Sequence, residues 1–238
     1  MPPFEALLGD VVEAGPKLRG EDSAADVLPR SMLLSLSATS QSESKSALQI
    51  DERDLDHPVA GKRLNAVKKL RLVSAAEEDA KTMPDRLARA AWKLTGEGTL
   101  PRRIIVFCSS RNSAIKAKKA VTKFANGHKK ADIPKREIAA QLFVGARRVR
   151  ERQALAEWLG KHGFIAGISA ESTLPSFVFA TSAGEVGVDL DADHMVGDLV
   201  AFERMVQRFG RVNRRGEGEA DIHVLIDRDG PMPKKQWS

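Results

Sequence analysis

The 238 residues suffice for one ordinary domain with extra elements or for two small ones, and a 42% hydrophobic fraction supplies a core. Lysine and arginine number 38 against 32 aspartate and glutamate, so the chain carries +6 and favours polyanionic partners. A single cysteine excludes an intrachain disulfide and fits a reducing, cytoplasmic setting; no apolar run reaches the roughly 18 residues of a membrane span, and the lack of tyrosine weighs against a platform that stacks many bases.

Phe4, Leu7, Leu8, Val11 and Val12 read as a short helix, followed by a polar stretch broken by glycine and proline. Residues 31–40, SMLLSLSATS, predict a buried strand that ends in small hydroxyl residues. Residues 41–62 read as polar and irregular, with Pro58 and Gly61 as breakers. Residues 63–73 fit a helical turn and a basic strand alike. Pro84 suits the first turn of a helix through Leu94, with Leu87, Ala90, Ala91 and Leu94 on one face.

From Arg102 onward strands and helices alternate. Apolar runs predict strands at 103–108, 141–144, 177–181, 195–200 and 221–226. Helices are predicted from an Asn112 or Ser113 cap to about Phe124, over 150–159 with Leu155, Trp158 and Leu159 inward, and over 202–209. Short, fully apolar strands alternating with helices predict an α/β fold: a parallel sheet with helices on both faces. Right-handed crossovers then bring the loops after the strands to one edge, where ligands of open α/β sheets bind.

QRFGRVNRRG, 207–216, holds the densest chemistry. Gln207, Arg211 and Arg214 are spaced i, i+4, i+7 and share a helical face if the turn continues. Two such guanidiniums can fork onto phosphate oxygens; an arginine finger in phosphoryl transfer is worth roughly 10³–10⁵ in rate. The arginines alone fit equally a basic surface helix that pairs with nearby acids. After the strand FVFAT, Thr181 and Ser182 can donate to a nucleic-acid phosphate. Glu185 can pair with a basic neighbour, Gly187 allows close backbone approach, and Asp189 can accept from a ribose hydroxyl or orient an arginine. Ser109, Ser110 and Arg111 close another strand, where hydroxyl and backbone groups can hold a phosphate. Arg147, Arg148, Arg150 and Arg152 form a basic run that fits backbone contact or a solvated helix face.

The 238 residues contain no G-x-x-x-x-G-K-[ST] phosphate loop, and Asp51-Glu52 reads as a loop rather than an acidic Mg²⁺ motif. Five scattered histidines indicate no metal site. Cys108 ends an apolar run and reads as a buried small hydrophobe.

The order TSAGEVGVDLD then QRFGRVNRR resembles motifs V and VI of the superfamily 2 helicases, and SATS at 37–40 resembles motif III. The set SATS, IIVFCSS and 177–216 is most similar to one branch, the CRISPR-associated helicase–nuclease of type I interference systems. The resemblance implies a RecA-like domain over 100–230, preceded by a remnant of the first RecA-like domain over 1–50 and a connecting segment over 51–99, with a tail at 231–238. It implies an ATP-driven motor on single-stranded DNA, partnered by an HD nuclease and recruited by a surveillance complex. Carried onto this chain, Gln207, Arg211 and Arg214 would meet ATP, whose Mg²⁺ a missing first RecA-like domain would hold. Glu185, Gly187 and Asp189 would couple the domains, Ser37 and Thr39 would link the ATP site to the interdomain contact, and Thr181 and Ser109 would lie near DNA. The chain opens just after where the acidic motif would stand, which is expected of a split or broken reading frame. Two alternatives stand beside this: a non-enzymatic nucleic-acid-binding module, and half of a general superfamily 2 DNA or RNA helicase.

Overall fold

The five apolar runs after Arg102 all form strands, and a sixth strand precedes them. In the computed structural model, residues 50–74, 82–127, 134–145, 149–171, 173–185 and 188–226 are described. The strands are β1 Val67–Ser74, β2 Arg103–Phe107, β3 Ala139–Phe143, β4 Ser176–Ala180, β5 His194–Asp198 and β6 Glu219–Ile226. They form one sheet in the order β1-β6-β5-β2-β4-β3, and every pair is parallel. The helices are α1 Glu52–Asp56, α2 Ala60–Leu64, α3 Met83–Leu94, α4 Arg111–Ala125, α5 Val149–Lys161 and α6 Phe202–Phe209. The first predicted helix, the 31–40 strand with Ser37 and Thr39, and the 231–238 tail lie outside the described residues.

The undecided stretch 63–73 resolves into the end of α2 and the basic edge strand β1, whose Val67–Ser74 pairs with Glu219–Ile226. Strand β1 and helix α3, both from the stretch read as connecting, therefore build the same sheet and core. Asp51, read as part of a loop, caps α1: its carboxylate accepts from the backbone N–H groups of Arg53 and Asp54. The cap of α4 is Ser110, not Asn112 or Ser113; its hydroxyl oxygen accepts from the Ser113 N–H at 3.1 Å.

The middle strands carry apolar side chains in both directions because helices cover both faces. On one face, Ile104, Val106, Phe177 and Phe179 pack with Leu87, Ala91 and Leu94 of α3 and Ala114, Ala117 and Val121 of α4. On the other, Ile105, Phe107, Val178 and Met195 pack with Leu155 and Leu159 of α5 and with Met205 of α6. Each large apolar side chain buried this way contributes about 1.5–3 kcal/mol. Cys108 is fully buried within the first cluster, as its place at the end of β2 suggested. Among the described residues no helix is long and apolar enough to cross a membrane.

Candidate functional site

Two neighbouring strands bring one group of candidate residues together. Phe107 of β2 stands opposite Ala180 of β4, so Ser109, Ser110 and Arg111 leave the sheet beside Thr181 and Ser182 at its carboxyl edge. Adjacent strands lie about 4.8 Å apart, so these hydroxyl and backbone groups form one short row. Ser109, Ser110, Arg111 and Ser182 are exposed and Thr181 is half-buried. Of the basic run, Arg150 and Arg152 are exposed on the first turn of α5, while Arg147 and Arg148 lie outside the described residues.

The segment after β4 makes a single 3-10 turn, Ser182–Gly184, and folds back over the α6 face of the sheet. Gly184 permits this: a Cβ there would lie 2.8 Å from the Ala180 Cβ and 3.3 Å from the Phe107 ring. The turn carries Glu185 beneath α6, where it is 3% exposed. Arg204 and Arg208, one helical turn apart, both reach it. Arg204 donates from Nε to Oε2 at 2.9 Å and from Nη2 to Oε1 at 2.8 Å. Arg208 donates from Nε to Oε1 at 2.8 Å and from Nη1 to the carbonyl and a carboxylate oxygen of Asp198, each at 2.9 Å. Burial pushes the Glu185 carboxyl up, but the hydrogen bonds and charges of Arg204 and Arg208 outweigh it and hold the carboxyl below its ordinary range.

Arg208 is 0% exposed, and its guanidinium lies over the Phe107 ring, 4.9 Å from the centroid. Gly197 leaves room for it: a Cβ there would stand 3.3 Å from the Phe107 Cβ and 3.4 Å from Arg208 Nη1. The arginine in the salt-bridged interior is therefore Arg208, to which the sequence assigned no role.

The expected helical face of Gln207, Arg211 and Arg214 does not form. Helix α6 ends at Phe209, with Gly210 as its C-cap, and only Gln207 of the three is helical. Lys68 stops the helix by donating to the Phe209 carbonyl at 2.8 Å; a cation at this end also complements the helix dipole. The chain then turns beside Ala192, whose N–H donates to the Arg211 carbonyl at 3.0 Å and whose carbonyl accepts from the Asn213 N–H at 2.8 Å. The arginine backbone thus sits near the amino ends of β5 and β2, away from the hydroxyl row at the carboxyl edge. Asn213, with φ of +43°, holds this turn: its side-chain amide donates to Val67 O at 3.2 Å, and its amide oxygen accepts from the Gly218 N–H at 3.4 Å.

Despite the lost helical turn, Arg211 and Arg214 converge. Arg214 Nη1 lies 2.8 Å from Asp189 Oδ1, and Arg211 Nη1 lies 3.8 Å from the same oxygen. Arg211 also donates to the Glu185 carbonyl, at 2.6 Å from Nη2 and 3.2 Å from Nε. The Arg214 N–H donates to Asp191 Oδ1 at 3.0 Å. Arg214 and Asp189 are partly open to solvent, with side-chain exposures of 39% and 56%. Burial, then the Arg214 charge, lowers the pKa of Arg211, and Asp189 opposes the shift. Two cations facing one oxygen of an exposed carboxylate form a seat that suits a phosphate oxygen as well. Gln207 is exposed on the solvent side of α6, and Gly187 lies outside the described residues.

The sequence reading missed Asp198, Arg204, Arg208 and Asp191. Arg204 and Arg208 carried a readable signal, i, i+4 spacing on a predicted helix. Asp198 carried a weaker one, an acid closing an apolar strand. A cavity of about 330 Å³ at the amino edge is lined by Arg102, Arg103, Asp191, His194, Asn213 and Arg215 among others, and includes neither Arg211 nor Arg214.

Residues 102–217 match the family described as CRISPR-associated nuclease/helicase Cas3, C-terminal. A putative CRISPR-associated nuclease/helicase Cas3 of Myxococcus xanthus is 35% identical over 75 residues, which is 30% of this chain and 10% of that relative. The crystal structure of T. fusca Cas3 matches 72% of this chain and 19% of that one, at 20% identity and a TM-score of 0.50. The T. fusca Cas3-AMPPNP structure matches with the same coverage at 19% identity and a TM-score of 0.50. These likenesses show the fold, a RecA-like helicase C-terminal domain. With the family match they bear out the resemblance to the C-terminal half of a Cas3-like superfamily 2 helicase. The chain spans about a tenth of the curated relative it matches.

Proposed function

We propose that this chain, a Cas3-like helicase C-terminal half by fold and by the match over 102–217, works as the C-terminal portion of an ATP-dependent DNA helicase or translocase of type I CRISPR interference. The observation that carries this reading is the convergence of Arg211 and Arg214 on one oxygen, Oδ1, of the exposed Asp189 carboxylate. A first RecA-like domain would bind ATP and its Mg²⁺, and ATP would supply the phosphoryl group. Arg211 and Arg214 donate to its phosphate oxygens and offset the charge that grows there during transfer. Arg211, desolvated and pressed by Arg214, gains from an arriving anion. Asp189 holds the pair until then.

Glu185, gripped by Arg204 and Arg208, ties the segment after β4 to α6, so a shift at the arginine turn reaches Thr181 and Ser182 through one packed unit. Ser109, Ser110, Arg111, Thr181 and Ser182 hold the phosphates of a single DNA strand along the carboxyl edge. The remaining partners are the N-terminal helicase–nuclease portion and a CRISPR surveillance complex in the cytoplasm.

Without a phosphate-cradling loop in its 238 residues, the chain alone should release no phosphate from ATP, with or without single-stranded DNA. Turnover by the pure chain near 1 s⁻¹, the low end of ordinary enzymes, would overturn the reading. The exposed Arg150 and Arg152 favour a second reading, a nucleic-acid-binding module without catalysis. That reading expects salt-dependent single-strand binding that falls in an Arg150→Gln/Arg152→Gln variant and is indifferent to Arg211→Ala.

A further inference from the structure

The cavity at the amino edge has more hydrogen-bond donors than its own acids can use. Its volume of about 330 Å³ is at the low end of small-ligand sites. Strands β2, β5 and β6 begin around it with Arg103, His194 and Glu219, and the turn after α6 contributes Asn213 and Arg215. The acids that line it are largely engaged. Asp193 turns both carboxylate oxygens to Arg103: Oδ2 accepts from the backbone N–H at 2.7 Å, and Oδ1 accepts from Nε at 3.1 Å and from Nη2. Asp191 accepts from the Arg214 N–H at 3.0 Å, and Glu219 pairs with Lys69. Glu217, at the exposed rim, lies 3.6 Å from Arg215 Nη1.

Donors from three separate elements are left over. Arg102, just before β2, is half-buried; its Nη1 donates to the Leu94 carbonyl at 2.8 Å, and it makes no ion pair among the described residues. His194 is buried, and its Nδ1 accepts from the Asp221 N–H at 3.0 Å. The neutral ring therefore carries its hydrogen on Nε2, which has no partner among the described residues. Burial, then the Arg102 charge, lowers the His194 pKa, and Asp221 and Asp193 oppose the shift. Arg215 Nε is buried without a hydrogen-bond partner among the described residues; the nearby Asp191 Oδ2 is 3.8 Å away, beyond hydrogen-bond reach. A buried donor left unpaired is costly, and native structures keep few of them.

We infer that the amino-edge cavity is an anion site that takes a phosphate group, with Arg102, His194 Nε2 and Arg215 as its donors. A carboxylate offers two oxygens and a phosphate more, so donors arriving from three elements suit the phosphate better. Guanidiniums also match its oxygens with a fixed fork of donors. Free phosphate and a mononucleotide carry this same group. An anion seated here draws Arg215 away from Glu217 and, through Arg215, braces the turn that carries Arg211 and Arg214. The cavity includes neither of those two arginines, so the site goes beyond the nucleotide-facing reading and stands or falls without it.

The test follows the His194 imidazole signals of the full 238-residue chain by NMR, assigned through His194→Gln, at about pH 7.5, above the ordinary histidine pKa. Inorganic phosphate, thymidine 5′-monophosphate or acetate is added at constant ionic strength. Phosphate should move the signals saturably, with half-saturation below about 10 mM. Arg102→Gln and Arg215→Gln should each weaken binding about tenfold or more, the worth of one charge-assisted hydrogen bond. Lys123→Gln, at an exposed site on α4, should leave binding unchanged. Glu217→Gln removes an acid from the rim and should tighten binding severalfold, which a misfolded variant cannot mimic. At ten times Kd, phosphate should raise the melting temperature of the wild type by roughly 3–6 °C, and that of Arg215→Gln by less than half as much. Tighter binding of the mononucleotide through the same residues assigns a nucleotide-borne phosphate; phosphate binding at least as tightly assigns the free anion; either supports the site. The inference is overturned by half-saturation above about 10 mM for both. It is also overturned by acetate binding as tightly as phosphate, by unchanged binding in both arginine variants, by an equal loss in Lys123→Gln, or by weaker binding in Glu217→Gln.

Discussion

Replacing Arg208 by Ala is the sharpest probe of how the site is built. Its guanidinium is fully buried and makes three hydrogen bonds, one to Glu185 and two to Asp198, with Phe107 beneath it. The substitution leaves a cavity and strands two acids, of which, among the described residues, only Glu185 retains a hydrogen-bonded side-chain partner, Arg204. Removing one member of a buried ion pair costs about 3–5 kcal/mol. At about 2–4 °C per kcal/mol for a chain of this size, the melting temperature should fall by roughly 6–20 °C. Arg214→Ala is the control: its partner Asp189 is 56% exposed, so at most about 1 kcal/mol is lost, and melting shifts by no more than about 4 °C. Differential scanning fluorimetry with urea melts reads both. A Glu185→Gln/Arg208→Met double variant should lose less than the sum of its single changes, because each single change strands the other charge. If Arg208→Ala melts no earlier than Arg214→Ala, Glu185 is not the clamp described here.

Acidification should weaken the fold in two stages. Burial, then Arg102, lowers the His194 pKa, and its Nδ1 accepts from the Asp221 N–H at 3.0 Å, so the folded state prefers neutral His194. Its contribution is present above the unfolded value of about 6.5 and is lost as pH falls below it. His194→Gln should flatten that first decline. Glu185, held below its ordinary range by Arg204 and Arg208, contributes above about pH 4.3 and loses that contribution as pH falls through its folded pKa, so a second decline should follow in melts at lower pH. Burial pushes the Cys108 thiol up to about 12, so Ellman's reagent should label it only after denaturation, and rapid labelling of the native chain at pH 8 would contradict its place in the core. Asn213→Ala should cost about 1–3 kcal/mol by urea melt, since it strains a positive φ and removes the side-chain amide's bonds to the Val67 carbonyl and the Gly218 N–H. Asn213→Gly, which relieves only the strain, should cost less.

The sheet was readable because its strands are short apolar runs, such as 103–107 and 177–180, whose burial on both faces leaves no competing pattern. Strand β1 was ambiguous because VKKLRLVS pairs on one side only, and an edge position tolerates Leu70 and Leu72 at 54% and 56% exposure beside Lys69 and Arg71. The convergence of Arg211 and Arg214 followed from residue type, but by a different route from the one the spacing implied. Sequence periodicity assumes that a helix continues; here Lys68 and Gly210 end it, and Asn213 and Asp191 place the arginines instead. The Glu185–Arg208–Asp198 cluster was hidden because its members lie on three elements that only the fold brings together.

The central claim proposed here is that Arg211 and Arg214 serve a triphosphate held by a first RecA-like domain. It is tested most directly by single-strand-stimulated ATP hydrolysis in a mixture of this chain with a separately produced first RecA-like half of a Cas3-type helicase. The account predicts turnover in the mixture and in neither part alone, falling by roughly 10³-fold or more with Arg211→Ala or Arg214→Ala. Hydrolysis by this chain alone, or a mixture whose rate ignores both substitutions, would contradict it.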